Sequence, residues 1–486
     1  MGNPKKKLRR DKRTVNESRK RRVCFIALGC PKAIVDVEKM LGLLAQAGHV
    51  ICYEPEDAEV VFINTCSFIN PARLEAEDTI NEICELKAQN VISHVIVTGC
   101  LPQLLGKEIE KQFPDVDGFL SAAGRDDVVG FMHSIIESES PYAHFKLTAP
   151  DTRFSTHDRD RFLILPKHVS YLRIAEGCNH GCAYCLIPKI RGKYRSKKTT
   201  EILREAHELA QAGIKELILI AQDTTDFGYD LSGEHSFELL LSQLTDIPGI
   251  EWIRTMYGYP TSITEGLINT FADDNKVIPY IDLPLQHVNS DILNTMRRDY
   301  KREDIDALLD KFFTKIPELA MRTTFIVGFP GETVEQFEEL MKFIEESPLM
   351  RIGVFPYFDE PGTKAYKLPG KLNQAEVDRR YEAALQVLDV KLQKIQENFI
   401  DTEFQVIIDE TDDEGNFRGR SYADAPEVDC AIFGKTNDKI NTGDFVNVNI
   451  DELVTFQDDD GIEHFSETFD LHAQIIDKNK YNEQKF

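Results

Sequence analysis

The sequence predicts an α/β chain in three parts: an amino-terminal parallel α/β domain, a central partial (β/α)6 barrel, and a carboxyl-terminal small β-barrel. Three observations carry this reading. Strand and helix signals alternate between Val23 and about Pro150, which argues for a parallel sheet covered by helices. Alternation resumes for six rounds beyond a polar linker, Pro141–Lys167, two units short of a full eight-unit barrel. From Asp401 the pattern changes to five short strand-like runs separated by turns, the signature of a small all-β unit. A length of 486 residues suits about three domains.

In the first part, Val23–Leu28 is a β-prone run, followed by Gly29-Cys30-Pro31 and a helix over Val35–Ala47 that ends at Gly48. Glu59–Asn64 is a second strand, followed by Cys66 and a helix from Ala72 to Ala88. Val91–Thr98 is a third, followed by Gly99-Cys100 and a helix around Leu104–Gln112. Cys30, Cys66 and Cys100 therefore each fall just past a strand's carboxyl end, the edge at which parallel sheets bind ligands. They are read as a shared metal site or as small buried hydrophobes, and their equivalent positions favour the first. Cys24, Cys52 and Cys84 lack that position and read as packing residues.

The barrel strands are Tyr171–Ala175, Glu216–Ala221, Trp252–Met256, Val277–Leu283, Thr323–Val327 and Ile352–Pro356. One intervening helix, Thr200–Ala212, closes at Gly213, and another, Thr333–Glu346, opens with Thr333 and Gln336 in capping-box spacing. Lys371–Asn398 reads as a connecting helix. The last strands are Phe404–Ile408, Phe417–Tyr422, Val428–Phe433, Asp444–Ile450 and Phe469–Ile476.

Charge is uneven. The chain carries −25 overall, but Met1–Arg22 holds eleven basic residues against two acidic ones and reads as a solvated, disordered tail or an arm for RNA phosphates. Asp401–Phe486 holds 22 acidic and 7 basic residues, which would repel RNA and attract a basic protein. No apolar run approaches the ~20 residues of a membrane helix, and no secretory signal precedes Val23. A cytoplasmic, reducing location is expected, with the ten cysteines as ligands, reactive thiols or core residues.

Gly177-Cys178-Asn179-His180-Gly181-Cys182-Ala183-Tyr184-Cys185 follows the first barrel strand directly. Three thiolates in C-x3-C-x2-C spacing can each hold one corner of an iron–sulfur cube and leave the fourth iron open. Zinc is the competitor, but structural zinc requires a fourth ligand, for which His180 is poorly placed.

This loop resembles the signature of radical S-adenosylmethionine enzymes, and the chain past its tail resembles their methylthiotransferase branch. That resemblance implies domains over 23–150 (methylthiotransferase amino-terminal), 165–400 (radical SAM) and 401–480 (TRAM), after a basic tail over 1–22. It implies two 4Fe-4S clusters, one on Cys30, Cys66 and Cys100 and the other on Cys178, Cys182 and Cys185, together with S-adenosyl-L-methionine. Leu28-Gly29-Cys30-Pro31-Lys32 and Arg420-Ser421-Tyr422-Ala423-Asp424-Ala425-Pro426-Glu427 are similar to members that modify an aspartate of ribosomal protein uS12. Tyr357-Phe358-Asp359-Glu360-Pro361-Gly362-Thr363 is acidic where tRNA-modifying members usually carry arginine, although Phe358-Asp359 departs from a common serine.

The implied reaction uses one S-adenosylmethionine as methyl donor to sulfur and a second, reduced by a low-potential electron donor, to take hydrogen from the aspartate β-carbon. The resemblance also places Tyr184 beside the adenine, with Gly328 and Glu332 lining the cofactor; loop packing and ordinary β/α construction are the alternatives. Gln222, Asp223 and Gln286 stand at strand carboxyl ends and read either as contacts to ribose or methionine groups or as a merely polar edge. Two other functions stay open here: a tRNA methylthiotransferase with the same clusters, and a non-catalytic ribosome-binding module.

Overall fold

The protein was analysed as a computed structural model that describes residues 20–138, 140, 142–150, 158–457, 463–465 and 469–477. Most of the basic tail lies outside these residues.

The first domain is a six-stranded sheet of β1 (Arg22–Ala27), β2 (Val50–Cys52), β3 (Val60–Thr65), β4 (His94–Gly99), β5 (Gly118–Ser121) and β6 (His144–Lys146). Its order is β2-β1-β3-β4-β5-β6, and every pair is parallel. Helices cover both faces, so β3 is buried along its whole length. Three strands escaped the sequence reading because they are only three or four residues long, too short to show a period. β6 lies inside the stretch read as linker and completes the sheet instead. The order reverses between β1 and β3, and at such a switch point the loops diverge to leave a crevice.

The second domain contains β7 (Val169–Arg173), β8 (Ala175–Glu176), β9 (Arg195–Ser196), β10 (Glu216–Ile220), β11 (Trp252–Thr255), β12 (Val277–Asp282), β13 (Ala320–Val327) and β14 (Arg351–Pro356). Six of them form an open parallel sheet ordered β14-β13-β12-β11-β10-β7, while β8 and β9 make a small ribbon. This is the expected six-unit partial barrel. Thr333 and Gln336 close the expected capping box on the helix Val334–Glu346. The outer face packs on helices through Leu217, Leu219, Ile253 and Ile281. The inner face, with Tyr171, Ile218, Ile220, Trp252 and Tyr280, forms one apolar cluster with Val35 of the first domain and Ile407, Tyr422 and Ala423 of the third.

The helix Gln374–Glu397, capped by Asn373, leads to the third domain. There β15 (Glu403–Thr411), β16 (Asn416–Arg420), β17 (Ile432–Lys435), β18 (Phe445–Leu453), β19 (Thr455–Gln457), β20 (Glu463–Phe465) and β21 (Leu471–Asp477) include a closed barrel ordered β15-β16-β17-β21-β18. The strand expected at Val428 begins only at Ile432, because the preceding residues turn: Asp429 accepts hydrogen bonds from the Tyr280 hydroxyl and the Ala425 N–H.

The segment Arg420–Glu427 fastens this barrel to the amino ends of the central strands. Arg420 donates to Glu216 and to Asp409, each at 2.7 Å, and Arg254 donates to Glu216 at 2.8 Å and to the Tyr422 carbonyl at 2.7 Å. Burial would raise the Asp409 carboxyl, but Arg420 and His168 outweigh it and hold the group down at about 2. The depressed carboxylate stabilises the fold above its ordinary range near 4 and stops doing so as pH falls through about 2. Asp409→Asn is therefore expected to cost on the order of 2 kcal/mol at pH 7. In urea titrations its deficit against the wild type should shrink as pH drops below about 4; a deficit independent of pH would contradict this.

Candidate active site

The three crossover loops of the first domain bring Cys30, Cys66 and Cys100 to one edge of its sheet. Cys30 precedes the helix Pro31–Gln46, and Cys100 opens the helix Cys100–Leu105. Glycines make the approach possible. Gly29 has φ +106°, and a Cβ there would lie 3.1 Å from the Cys66 Cβ and 3.6 Å from its Sγ. Gly99 has φ +97°, and a Cβ would sit 2.7 Å from the Thr65 carbonyl. The thiols share one electrostatic environment. Burial and then Cys30 raise the Cys66 thiol against backbone donors. Burial pushes Cys100 up to about 12, with Cys66 and Cys30 adding to it and Arg191 opposing.

Cys178, Cys182 and Cys185 occupy the loop between β8 and the helix Ile187–Arg191. Burial pushes Cys178 and Cys185 each up to about 12, and Cys182 adds to both. Gly177, at φ +82°, lets the loop lie against the ribbon: a Cβ would fall 2.1 Å from the Lys193 carbonyl, and Cys178 N–H donates to the Gly192 carbonyl at 3.1 Å. Gly177→Ala is expected to unseat this loop at a cost of about 1–3 kcal/mol from backbone strain alone, before the clash is counted. Anaerobic reconstitution should then load markedly less iron; full loading would refute it.

Side chains from other elements pin the same loop. His180 Nε2 lies 2.7 Å from Asp223 Oδ2, and its ring stacks on Tyr259 at 3.7 Å. Arg298 Nη1 approaches Cys182 Sγ at 3.7 Å, with its guanidinium 4.3 Å from the Tyr259 ring. Tyr184 sits beside Arg298, and burial raises its hydroxyl far above the ordinary range.

Both trios suit a cluster. All six thiols are free, and among the described residues no three His, Cys, Asp or Glu side chains converge tightly enough for a single ion. A cube, by contrast, places each thiolate on its own iron. Buried polar atoms without a protein partner lie alongside: Asn64 Oδ1 and Ser67 Oγ at the first trio, and Gln222 Oε1 at the barrel rim.

A buried charged seam joins the two domains and reaches the first trio. Arg191, of the second domain, reaches Cys100 Sγ at 3.5 Å and donates to Asp36 at 2.7 Å. Arg173 binds Asp158, Asp36 and Glu176. Lys32 crosses the other way and donates to the Ala221 carbonyl at 3.1 Å.

The remaining sequence-derived residues lie at strand carboxyl ends with different engagements. The Asp223 carboxylate is occupied by His180, Thr225 and the Asp226 N–H. Gln286 has φ +70° and bridges to Phe325, its N–H donating to the Thr324 carbonyl at 2.7 Å. Gly328 has φ +78°, and its N–H donates to Glu332, which also accepts from Arg380 at 2.9 Å and lies 3.3 Å from His287. Sequence reasoning singled out neither Arg191, Arg298, Tyr259 nor Asp36. Only the proximity of Arg191 to the cysteine loop could have hinted at one of them.

Comparison with known proteins gives three family matches: the radical SAM superfamily over residues 172–344, the uncharacterized protein family UPF0004 over 22–121, and the TRAM domain over 400–457. A protein of Clostridioides difficile (strain 630) named ribosomal protein uS12 methylthiotransferase RimO is 36% identical over 436 residues, covering 90% of this chain and 97% of its own. Proteins of the same name from Syntrophomonas wolfei and Aquifex aeolicus are 40% and 38% identical, covering 88% and 90% of this chain and 96% of each of theirs. Among solved structures, the radical S-adenosylmethionine methyltransferase TsrM from Kitasatospora setae matches with a TM-score of 0.51 at 12% identity, over 76% of this chain and 89% of that one. That last likeness concerns the fold alone.

Proposed function

The chain belongs to the ribosomal protein uS12 methylthiotransferase family of radical SAM enzymes, and from that premise we propose that it adds a methylthio group to the β-carbon of an aspartate in uS12. What supports this reading most directly is that each of the first two domains carries a thiol trio past its strands' carboxyl ends, with Arg191 of one domain 3.5 Å from Cys100 of the other.

When bound, two 4Fe-4S clusters and S-adenosyl-L-methionine supply one-electron chemistry able to take hydrogen from an unactivated carbon, and the sulfur that replaces it. The chain's own residues set the stage for that chemistry. Cys178, Cys182 and Cys185 hold one cluster, and Cys30, Cys66 and Cys100 the other. His180, Asp223 and Tyr259 immobilise the Cys178–Cys185 loop, and Arg298 places positive charge beside Cys182. Tyr184, Gln222, Gln286, Gly328 and Glu332 form the rim on which the cofactor rests.

Charge supports a protein substrate. The segment Asp401–Phe486 carries −15, which suits a basic ribosomal protein and repels tRNA. A ribosomal-protein substrate supports a cytoplasmic location, and no helix among the described residues is long and apolar enough to cross a membrane. A low-potential electron donor completes the reaction. The test is anaerobic incubation of the reconstituted protein with reductant, S-adenosylmethionine and either uS12 or tRNA. A methylthio mass gain on the uS12 aspartate is expected; a gain on tRNA alone overturns the reading.

A further inference from the structure

Lys32 is a buried cation between the two domains with no carboxylate in ion-pair contact among the described residues. It stands in the first turn after Cys30 and is only 7% exposed. Its side chain leaves the first domain and enters the barrel mouth. There the ammonium donates to the Ala221 carbonyl past the end of β10 and lies 3.1 Å from the centroid of the Tyr257 ring past β11. Tyr257 holds a positive φ of 62°, a conformation that costs a non-glycine residue about 1–3 kcal/mol and calls for a compensating reason. Holding the ring beneath Lys32 supplies one.

Among the described residues, no ion pair within 4.0 Å reaches this ammonium. The nearby Asp282 is committed elsewhere: it takes Arg322 at 3.4 Å and the Tyr257 N–H at 3.2 Å. The other buried cations are also engaged. Arg173 and Arg191 bind Asp36 and Glu176. Arg298 donates to the Tyr300 hydroxyl and the Pro284 carbonyl and faces Cys182. An ammonium has three donors, and one carbonyl and one aromatic face leave capacity for an anion. A buried charge is costly unless paired.

The inference rests on the reading above, in which an aspartate side chain enters between the two sites. We infer that Lys32 binds the carboxylate of the target aspartate and so orients its β-carbon toward the radical SAM loop. Its position two residues from Cys30, pointing at the carboxyl ends of the barrel strands, puts that contact where a side chain must lie to meet both centres. The carboxylate is one bond from the reacting carbon, so a fixed ion pair there restricts the carbon to a small volume.

The experiment measures binding to the reconstituted holoenzyme of two uS12 peptides, one with the target aspartate and one with asparagine in its place. Fluorescence anisotropy is read for the wild type, Lys32→Met and Lys32→Arg, with iron content and thermal melting recorded for each. The wild type should prefer the aspartate peptide by at least about tenfold. Lys32→Met should bind both peptides at the weaker level, and Lys32→Arg should keep part of the preference. A wild type that binds both peptides equally overturns the inference without reference to any variant. So does a well-folded Lys32→Met enzyme that keeps the full preference. A wild type that binds neither peptide removes the functional reading itself and the inference with it.

Discussion

Cys182→Ala is expected to abolish S-adenosylmethionine cleavage and methylthio transfer together, and to lower iron content by about half. Cys182 is the middle cysteine of its loop: it raises the thiols of both Cys178 and Cys185 and faces Arg298. No neighbouring side chain can replace it, because His180 is held by Asp223 and stacked on Tyr259. Cys100→Ala supplies the contrast. It should also lose about half the iron and all methylthio product, yet still release 5′-deoxyadenosine, since the second loop is intact. Chromatography of the nucleoside and mass spectrometry of the peptide separate the two patterns. Cleavage surviving in Cys182→Ala would show that the radical chemistry does not start on this loop.

Arg173→Met should destabilise the protein by about 3–5 kcal/mol, the penalty for removing one partner from a buried ionic group. Arg173 is 1% exposed and donates two bonds to Asp158, at 2.7 and 3.0 Å, one to Asp36 at 2.7 Å and one to Glu176 at 2.9 Å. Three carboxylates would lose a shared cation at once. Burial opposes the ionisation of Asp36, but Arg125, Arg191 and Arg173 together hold it down at about 2. Against a total stability of ~5–15 kcal/mol such a loss is severe. Asp36 comes from the first domain and Arg173 from the second, so the damage should appear as loosened docking between the two domains. The urea midpoint should fall sharply, even though Lys197 still pairs with Asp158 and Arg191 with Asp36 and Glu176. An unchanged midpoint would mean that the seam contributes nothing to stability.

The cysteines were legible because their signal is local. Each of Cys30, Cys66 and Cys100 stands at a strand-to-helix junction, and junctions show in a single stretch of chain as a change of period. C-x3-C-x2-C is likewise confined to eight residues. The six central strands were legible for the same reason, since a strand buried on both faces is an uninterrupted apolar run. The short strands Val50–Cys52 and Gly118–Ser121 were not, because their β conformation comes from neighbours already in the sheet.

Charged residues show the opposite limit. Arg173 meets Asp36 across 137 positions, Arg191 meets Cys100 across 91, and Lys32 meets Ala221 across 189. Read along the chain, each is an ordinary polar residue expected in solvent. Arg420–Glu427 could be matched to a family but not to a task, which is to lock the third domain onto Glu216 and Arg254. From the sequence alone come the order of the domains and the placement of the two cysteine sets, because period and spacing are properties of short segments, while the class of chemistry came from resemblance to a family. Tertiary structure alone decided which cations face the thiols, which carboxylates answer them and which ammonium is left for a ligand, because charges separated by a hundred residues acquire partners only when folding excludes water between them.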